Sequence, residues 1–202
     1  MLTSLPNLLT LSRIAAIPLV IFTFYLHPPL GPWLGCAVFS LAGLTDWLDG
    51  RIARMWEQQS DLGRFLDPIA DKLLVGTTLF MLAFFDRLSL AAVIPAVIIL
   101  MREILVSGLR EHLARMRVGM PVSRLAKWKT FIQMLAIAVL LVGDSGPAAL
   151  PVQLIGEVLL WLAAALTVKT GWDYLHAGLI HMTAPAPRAP SPSIKTAKPS
   201  AT

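Results

Sequence analysis

Residues 46–71 read DWLDGRIARMWEQQSDLGRFLDPIAD, and this stretch holds two spaced pairs of aspartates. Asp46 and Asp49 are three residues apart, and Asp67 and Asp71 are four apart. Each pair therefore lies on one face if its segment is an α-helix. Apolar sequence precedes the first pair and follows the second. The stretch predicts two antiparallel helices joined by a short loop, with four carboxylates brought together between them.

The composition places these helices in a membrane. Hydrophobic residues make up 56% of the 202 residues and charged residues only 14%, whereas soluble domains carry about a quarter charged residues. Six apolar segments approach the roughly 20 residues that a helix needs to cross the hydrocarbon layer. We predict an all-α integral membrane protein. Its six transmembrane helices are expected at 7–27, 34–54, 65–85, 89–112, 124–143 and 150–179.

The distribution of charge predicts the orientation. When the predicted helices are threaded through a membrane, every Lys and Arg except Arg87 falls on or near one side. The positive-inside rule makes this side cytoplasmic, so both termini are expected in the cytoplasm. Residues 1–182 should form the membrane domain, and residues 183–202, rich in Pro, Ala and Ser, a disordered basic tail. The orientation in the membrane accounts for the excess of Lys and Arg over acidic residues, so no nucleic-acid partner is expected.

Four neighbouring carboxylates need a partner in this setting. A carboxylate near membrane depth costs free energy, and neighbouring carboxylates repel one another, unless they are paired or bind a cation. Carboxylate oxygens are the ligands that Mg²⁺ prefers, and four of them could hold two ions suited to phosphoryl transfer. Gly50, Ala53 and Gly63 leave room for a nucleotide, and Arg54 offers donors to phosphate. The acids alone also fit solvated loop charges or a proton or cation transporter, but a transporter does not explain the small residues and the arginine.

These residues resemble the signature of the CDP-alcohol phosphatidyltransferase family. Its pattern is Asp-x2-Asp-Gly-x2-Ala-Arg-x8-Gly-x3-Asp-x3-Asp, and all eight specified positions occur here with the same spacings. The resemblance implies that two divalent cations, Mg²⁺ or Mn²⁺, bind Asp46, Asp49, Asp67 and Asp71. It also implies that Asp71 is the catalytic general base. The positions implied to bind CDP-diacylglycerol are Asn7, Thr10, Gly50, Ala53, Arg54, Ser60 and Gly63.

Two later segments, 101–111 and 127–133, resemble the phosphatidylglycerophosphate synthase branch of that family. This implies glycerol 3-phosphate as the acceptor alcohol. A dianionic acceptor needs cations beyond those of the donor site. The expected phosphate-binding residues are Arg102, Arg110, Lys127 and Lys129. We expect Glu103 to orient one of the arginines. Inositol phosphate, serine, and phosphatidylglycerol for cardiolipin synthesis are alternative acceptors.

Together these patterns predict an enzyme of phospholipid biosynthesis in a bacterial inner membrane. Its polar active-site cavity is expected at the cytoplasmic leaflet, where the CDP headgroup and glycerol 3-phosphate meet water while the acyl chains stay in lipid. The expected partners are these two substrates, the surrounding lipids and a second copy of the chain, because members of the family are often homodimers.

Overall fold

Six α-helices make up the computed structural model, which describes residues 5–56, 61–115 and 124–183. They are α1 (Leu5–Thr23), α2 (Leu30–Trp56), α3 (Asp61–Phe84), α4 (Leu90–Arg115), α5 (Arg124–Val142) and α6 (Val152–Thr183). A 3₁₀ turn, Gly143–Ser145, follows α5, and the described ranges contain no strand. Only the helical backbone is described at 5–9, 46–56, 61–62, 64–65, 115, 177 and 180–183. The all-α prediction is confirmed for these ranges, and each predicted span corresponds to one helix.

Residues with a left-handed backbone end two of the helices. After α3, Asp86 has a φ of 54°, a conformation that a short polar side chain tolerates. The amide of Arg87 then donates to the carbonyl of Leu82 over 2.8 Å, which closes the helix end. After α5, Gly143 has a φ of 48°, where the absence of a side chain removes the strain. These two positions let the chain reverse before α4 and before α6.

The core lies where α6 packs against α4 and α5, and where α1 packs against α2 and α3. Helix α2 also packs against α5, so the two groups of helices form one bundle. Large buried side chains at these contacts are Phe39, Leu74, Leu79, Leu82, Ile99, Ile137, Leu140 and Leu160. Lipid tails are as apolar as these side chains, so close packing rather than exclusion of water holds such helices together.

Apolar side chains also cover the outside of the bundle. Phe22, Phe80, Ile104 and Trp172 are all more than half exposed, which fits contact with lipid better than contact with water. Three segments are long and apolar enough to cross a membrane, judged by length and composition. They are Leu90–Ala114, Arg124–Ser145 and Val152–His176. Shorter apolar stretches, Thr10–Thr23 and Leu30–Thr45, lie in α1 and α2. Six helices are therefore present in the described ranges, while six membrane crossings stay a prediction.

The connections α1–α2, α3–α4 and α5–α6 meet at one end of the bundle. We call residues 24–29, 85–89 and 143–151 the loop end. There the indole Nε1 of Trp33 donates to the carbonyl of Ser145 over 3.1 Å, and Nη1 of Arg87 donates to the carbonyl of Leu141 over 3.0 Å. The opposite end, which we call the site end, holds the C-terminal parts of α2, α4 and α6 and the N-terminal parts of α1, α3 and α5.

Candidate active site

Helices α2 and α3 carry the two aspartate pairs at the site end. Asp46 and Asp49 lie one turn apart on α2, and their side chains are outside the described part of the structure. Asp67 and Asp71 lie one turn apart on α3 and are partly buried. The hydroxyl of Thr10, on α1, donates a hydrogen bond to Oδ1 of Asp67. Each pair thus shares a helix, as its spacing predicted, and α1 fixes one carboxylate of the second pair.

Helix α1 buries two polar side chains near this pair. Thr10 and Arg13 are each only 1% exposed, and they lie one turn apart. The family resemblance implied that Thr10 contacts the nucleotide, whereas Arg13, in the same N-terminal motif Pro6-Asn7-x2-Thr10-x2-Arg13, was given no role in binding. A buried guanidinium is uncommon because its desolvation is expensive. Arg13 therefore belongs to the interior of the site end rather than to its surface.

A cavity of about 1210 Å³ lies between α3 and α4 and reaches α5. Its charged and polar lining residues are Asp71, Lys72, Thr77, Arg102, Glu103, Ser107, Arg110, Glu111 and Gln133. Apolar side chains, among them Phe80 and Leu100, complete the wall. The volume is sufficient for a small ligand. The predicted general base, Asp71, and two of the predicted phosphate-binding residues, Arg102 and Arg110, therefore line the same cavity.

Glu103 connects two cationic side chains, Arg102, which lines the cavity, and Lys129, which is not among the lining residues. Its Oε1 lies 3.5 Å from Nη1 of Arg102 and also accepts a hydrogen bond from Nζ of Lys129. Lys129 is only 3% exposed, so Glu103 supplies the opposite charge that a buried ammonium needs. The contact with Arg102 fits the expectation that Glu103 orients an arginine. Lys129, predicted to bind the acceptor phosphate, makes its ion pair with Glu103.

Arg102 is also held from the opposite direction by α6. Its Nη2 donates to Oγ1 of Thr170 over 2.9 Å, and its guanidinium carbon lies 5.7 Å from the centroid of the Tyr174 ring. The sequence did not link α6 to the site, because Arg102 and Thr170 are 68 residues apart. The available signal was a pair of small residues, Gly171 and Gly178, one heptad apart on α6. Such pairs commonly mark close helix–helix contacts in membranes.

Gln133, on α5, is another cavity residue to which the sequence assigned no role. It is 3% exposed, and its Oε1 is buried without a hydrogen-bond partner. Buried polar atoms usually have partners, so those that lack one indicate where water or a ligand completes the bonding. The sequence feature that could have identified Gln133 is its position: it is a polar side chain one helical turn after Lys129, within an otherwise apolar run.

The other predicted site residues lie partly outside what the structure describes. Lys127 is exposed on α5 and is not among the residues that line the cavity. Gly63 is buried near the start of α3. Only helical backbone is described for Asn7, Gly50, Ala53 and Arg54. Ser60 and the tail from residue 184 onward are outside the described residues.

The fold and the cavity define an all-helical membrane protein in which a carboxylate and two arginines line one space. The profile of the family described as CDP-alcohol phosphatidyltransferase matches residues 3–169. The chain belongs to this family, and the resemblance noted at residues 46–71 is confirmed. It is therefore a transferase.

Relatives of similar length carry a more specific name. A protein from Rickettsia bellii is 51% identical over 174 residues, which cover 86% of this chain and 94% of that protein. A protein from Pseudomonas fluorescens is 40% identical over 182 residues, covering 89% and 92%. One from Cereibacter sphaeroides is 37% identical over 214 residues, covering 89% and 97%. All three are named CDP-diacylglycerol–glycerol-3-phosphate 3-phosphatidyltransferase.

A solved structure shares the arrangement of helices. The crystal structure of Mycobacterium tuberculosis phosphatidylinositol phosphate synthase in its apo form superposes with a TM-score of 0.58 and covers 85% of each chain. The two sequences are 23% identical. At this level of identity the likeness shows the fold alone.

Proposed function

We propose that this chain transfers a phosphatidyl group from CDP-diacylglycerol to glycerol 3-phosphate, with release of CMP and formation of phosphatidylglycerol phosphate. The observation that carries the proposal is that Asp71, Arg102 and Arg110 line one cavity. A carboxylate can take the proton from a hydroxyl, and guanidinium groups can bind the phosphate of the same small molecule. Relatives at 37–51% identity carry the name of this reaction, which supports the same pair of substrates.

The electrostatics of the cavity support an anionic acceptor. Arg110 lies close enough to Arg102 to repel it. The attraction of Glu103 for Arg102 is larger than this repulsion, but the Glu103 carboxylate is shared with Lys129. A phosphate dianion bound by the two arginines would relieve their repulsion and use their free donors. An uncharged acceptor would leave the repulsion in place.

The reaction then follows from the side chains around the acceptor. Arg102 and Arg110 bind its phosphate and hold its free hydroxyl towards Asp71. The Asp71 carboxylate accepts the hydroxyl proton as the hydroxyl oxygen attacks the phosphorus that carries diacylglycerol. The bond between this phosphorus and the oxygen shared with CMP breaks, and CMP leaves with the bonding electrons. Fixing both reactants in one cavity supplies much of the acceleration.

We further propose that two divalent cations, Mg²⁺ or Mn²⁺, bind Asp46, Asp49, Asp67 and Asp71. Carboxylate oxygens are the donors that these hard cations select, so the residues fit the cations chemically. Among the described side chains, no group of three His, Cys, Asp or Glu could hold a metal ion. The support is therefore the donor chemistry and the two helical pairs. When bound, the cations would neutralise charge on the pyrophosphate of the donor.

The CDP part of the donor is proposed to lie where α1, α2 and α3 meet. Helix α1 packs against both other helices, and Thr10 reaches Asp67. The buried Gly63 allows close approach of the backbone at the start of α3. The residues proposed to contact the nucleotide are Asn7, Thr10, Gly50, Ala53, Arg54, Ser60 and Gly63.

The membrane setting of this proposal follows from the two ends of the bundle. All six helices are proposed to cross the membrane within a domain of residues 1–182, followed by a disordered tail at 183–202. The basic residues cluster at the site end, which supports cytoplasmic termini and a cavity open to the cytoplasmic leaflet. A bacterial inner membrane and a homodimer complete the proposal, with lipids around the outer apolar surface.

The decisive test is CMP release by the purified protein in detergent micelles that contain CDP-diacylglycerol and Mg²⁺. Glycerol 3-phosphate, inositol phosphate, serine and phosphatidylglycerol are compared as acceptors. Release with glycerol 3-phosphate alone supports the proposal. Release with another acceptor preserves the chemistry and overturns the substrate. If a folded protein releases no CMP with any acceptor under Mg²⁺ or Mn²⁺, the reaction itself is overturned and cation transport is the next hypothesis.

A further inference from the structure

The side chain of Arg102 extends from α4 to α6. Its Nη2 donates to Oγ1 of Thr170 over 2.9 Å, and its guanidinium carbon lies 5.7 Å from the centroid of the Tyr174 ring. Thr170 and Tyr174 lie one turn apart on α6, and both are buried. A guanidinium over an aromatic face is attracted by the ring quadrupole. Two neighbouring residues of α6 therefore contact the same charged group.

The direction of the Thr170 hydrogen bonds is determined by chemistry. A hydroxyl has one hydrogen, and a guanidinium can only donate. The Thr170 oxygen lies 2.8 Å from the carbonyl oxygen of Leu166 and 3.2 Å from that of Thr167. The hydroxyl hydrogen is thus donated within α6, and an oxygen lone pair accepts from Arg102. Thr170 is consequently an acceptor fixed by its own helix.

Gly171 provides the space for this arrangement. A Cβ at this position would lie 3.0 Å from Cγ and 3.3 Å from Nε of Arg102. The stem of Arg102 therefore lies directly against the α6 backbone, where a methyl group would displace it. On the same face, one heptad later, a Cβ at Gly178 would lie 3.0 Å from Cδ1 of Leu109. The two glycines let α6 approach α4 closely on both sides of Tyr174 and directly after Thr170.

Arg102 also faces the cavity, which it lines together with Asp71. Its Nε lies on the other side, buried against Gly171. We propose that Thr170, Gly171 and Tyr174 are positioning residues that hold the Arg102 guanidinium where it binds the phosphate of the acceptor. This rests on the proposed function, in which Arg102 binds that phosphate. A group that is ordered before binding loses less freedom on binding, so acceptor affinity should depend on α6.

The test measures KM for glycerol 3-phosphate and for CDP-diacylglycerol separately. Thr170→Val keeps the shape of the side chain and removes the acceptor. It should raise the KM for glycerol 3-phosphate about tenfold, with KM for CDP-diacylglycerol unchanged. Thr170→Ser should restore the value, because the hydroxyl returns. Thr78→Val is the matched control: Thr78 is also buried and bonds a carbonyl of its own helix, Leu74, but does not contact Arg102.

A double-mutant cycle separates positioning from general packing. Arg102→Gln alone should raise the KM for glycerol 3-phosphate, and adding Thr170→Val should then change it by less than about twofold. Gly171→Ala acts by displacing the stem of Arg102 and removes no hydrogen bond. It should raise the KM for glycerol 3-phosphate when Arg102 is present and leave that KM unchanged in Arg102→Gln. Equal effects of Thr170→Val and Thr78→Val, or additive effects with Arg102→Gln, would overturn the inference. An unchanged KM in Arg102→Gln would instead overturn the acceptor site of the proposed function.

Discussion

Charged side chains gather at both ends of this bundle, but their bonding differs. At the loop end, the amide and hydroxyl of Ser89 donate to the two oxygens of Glu157 over 2.9 and 2.8 Å, and Nε2 of Gln153 donates to the carbonyl of Arg87 over 2.6 Å. At the site end, Arg102 and Gln133 each keep a buried polar atom without a hydrogen-bond partner. Among the described residues of the loop end, no buried side-chain polar atom lacks a hydrogen-bond partner, whereas Gln133 at the cavity has one that does.

The difference indicates which charges serve folding and which serve a ligand. A buried polar atom without a partner costs about 1–3 kcal/mol. Folding alone would therefore favour the arrangement at the loop end. Burial lowers the pKa of the Arg87 guanidinium from its ordinary value, with Asp144 opposing this effect, yet an arginine stays protonated at neutral pH. Changes at the site end should therefore alter kinetics, and changes at the loop end should alter stability.

Removal of divalent cations should have the largest effect on the rate of CMP release, because the proposed cation ligands all lie at the site end. A chelator should reduce CMP release by at least about a thousandfold, because the charge on the pyrophosphate is no longer neutralised. Excess Mg²⁺ or Mn²⁺ should restore the rate, measured as CMP released per minute with both substrates saturating. Turnover that persists in the chelator would contradict the proposed use of the four aspartates.

Asp71→Asn should have the next largest effect. An amide cannot accept the hydroxyl proton, so kcat should fall about 10²- to 10⁴-fold. Binding of CDP-diacylglycerol should persist and is measured separately by equilibrium binding. The control is Asp144→Asn, a matched change at an exposed loop-end position, which should leave kcat within about twofold. Substantial activity in Asp71→Asn would remove this residue as the base.

Arg110→Ala should have a smaller effect, mainly on the acceptor. Arg110 lines the cavity, and loss of its donors should raise the KM for glycerol 3-phosphate about tenfold. Lys127→Ala is the control, because Lys127 is exposed and is not among the cavity-lining residues. A larger effect from Lys127 than from Arg110 would move the acceptor site towards α5.

The sequence predicted what depends on local periodicity. Apolar run length gave all six helices, and the spacing of the aspartates gave their pairing on α2 and α3. The start of α2 was less accurate. The second span was predicted to start at residue 34, after prolines at 28, 29 and 32, whereas α2 begins at Leu30. Pro32 lies in the first turn of the helix, where a missing N–H leaves no bond unmade.

Contacts between distant helices could not be predicted from one sequence. Glu103 was expected to orient an arginine, but its bond to Lys129 depends on how α4 meets α5. The link from Arg102 to Thr170 depends in the same way on the contact between α4 and α6. Periodicity fixes which face a side chain occupies and does not fix which helix that face meets. Gln133 was missed for this reason, since only the packed bundle shows that its Oε1 lacks a partner.

Glu157→Gln, on α6 beside the loop end, should have the smallest effect and change stability alone. Ser89 caps α4, because its Oγ lies 3.2 Å from the amide of Ala92, and Glu157 holds Ser89 through both oxygens. The glutamine side chain has one acceptor oxygen and no negative charge to stabilise the N-terminus of α4. The free energy of unfolding should therefore fall by about 1 kcal/mol. The thermal midpoint in detergent should fall by about 2–4 °C while kcat and both KM values stay unchanged. Helix α4 runs from this cap to Arg102. If Glu157→Gln changed kcat or a KM while the thermal midpoint stayed the same, the two ends would be coupled through α4. The loop end would then serve ligand binding as well as folding, which would contradict the comparison.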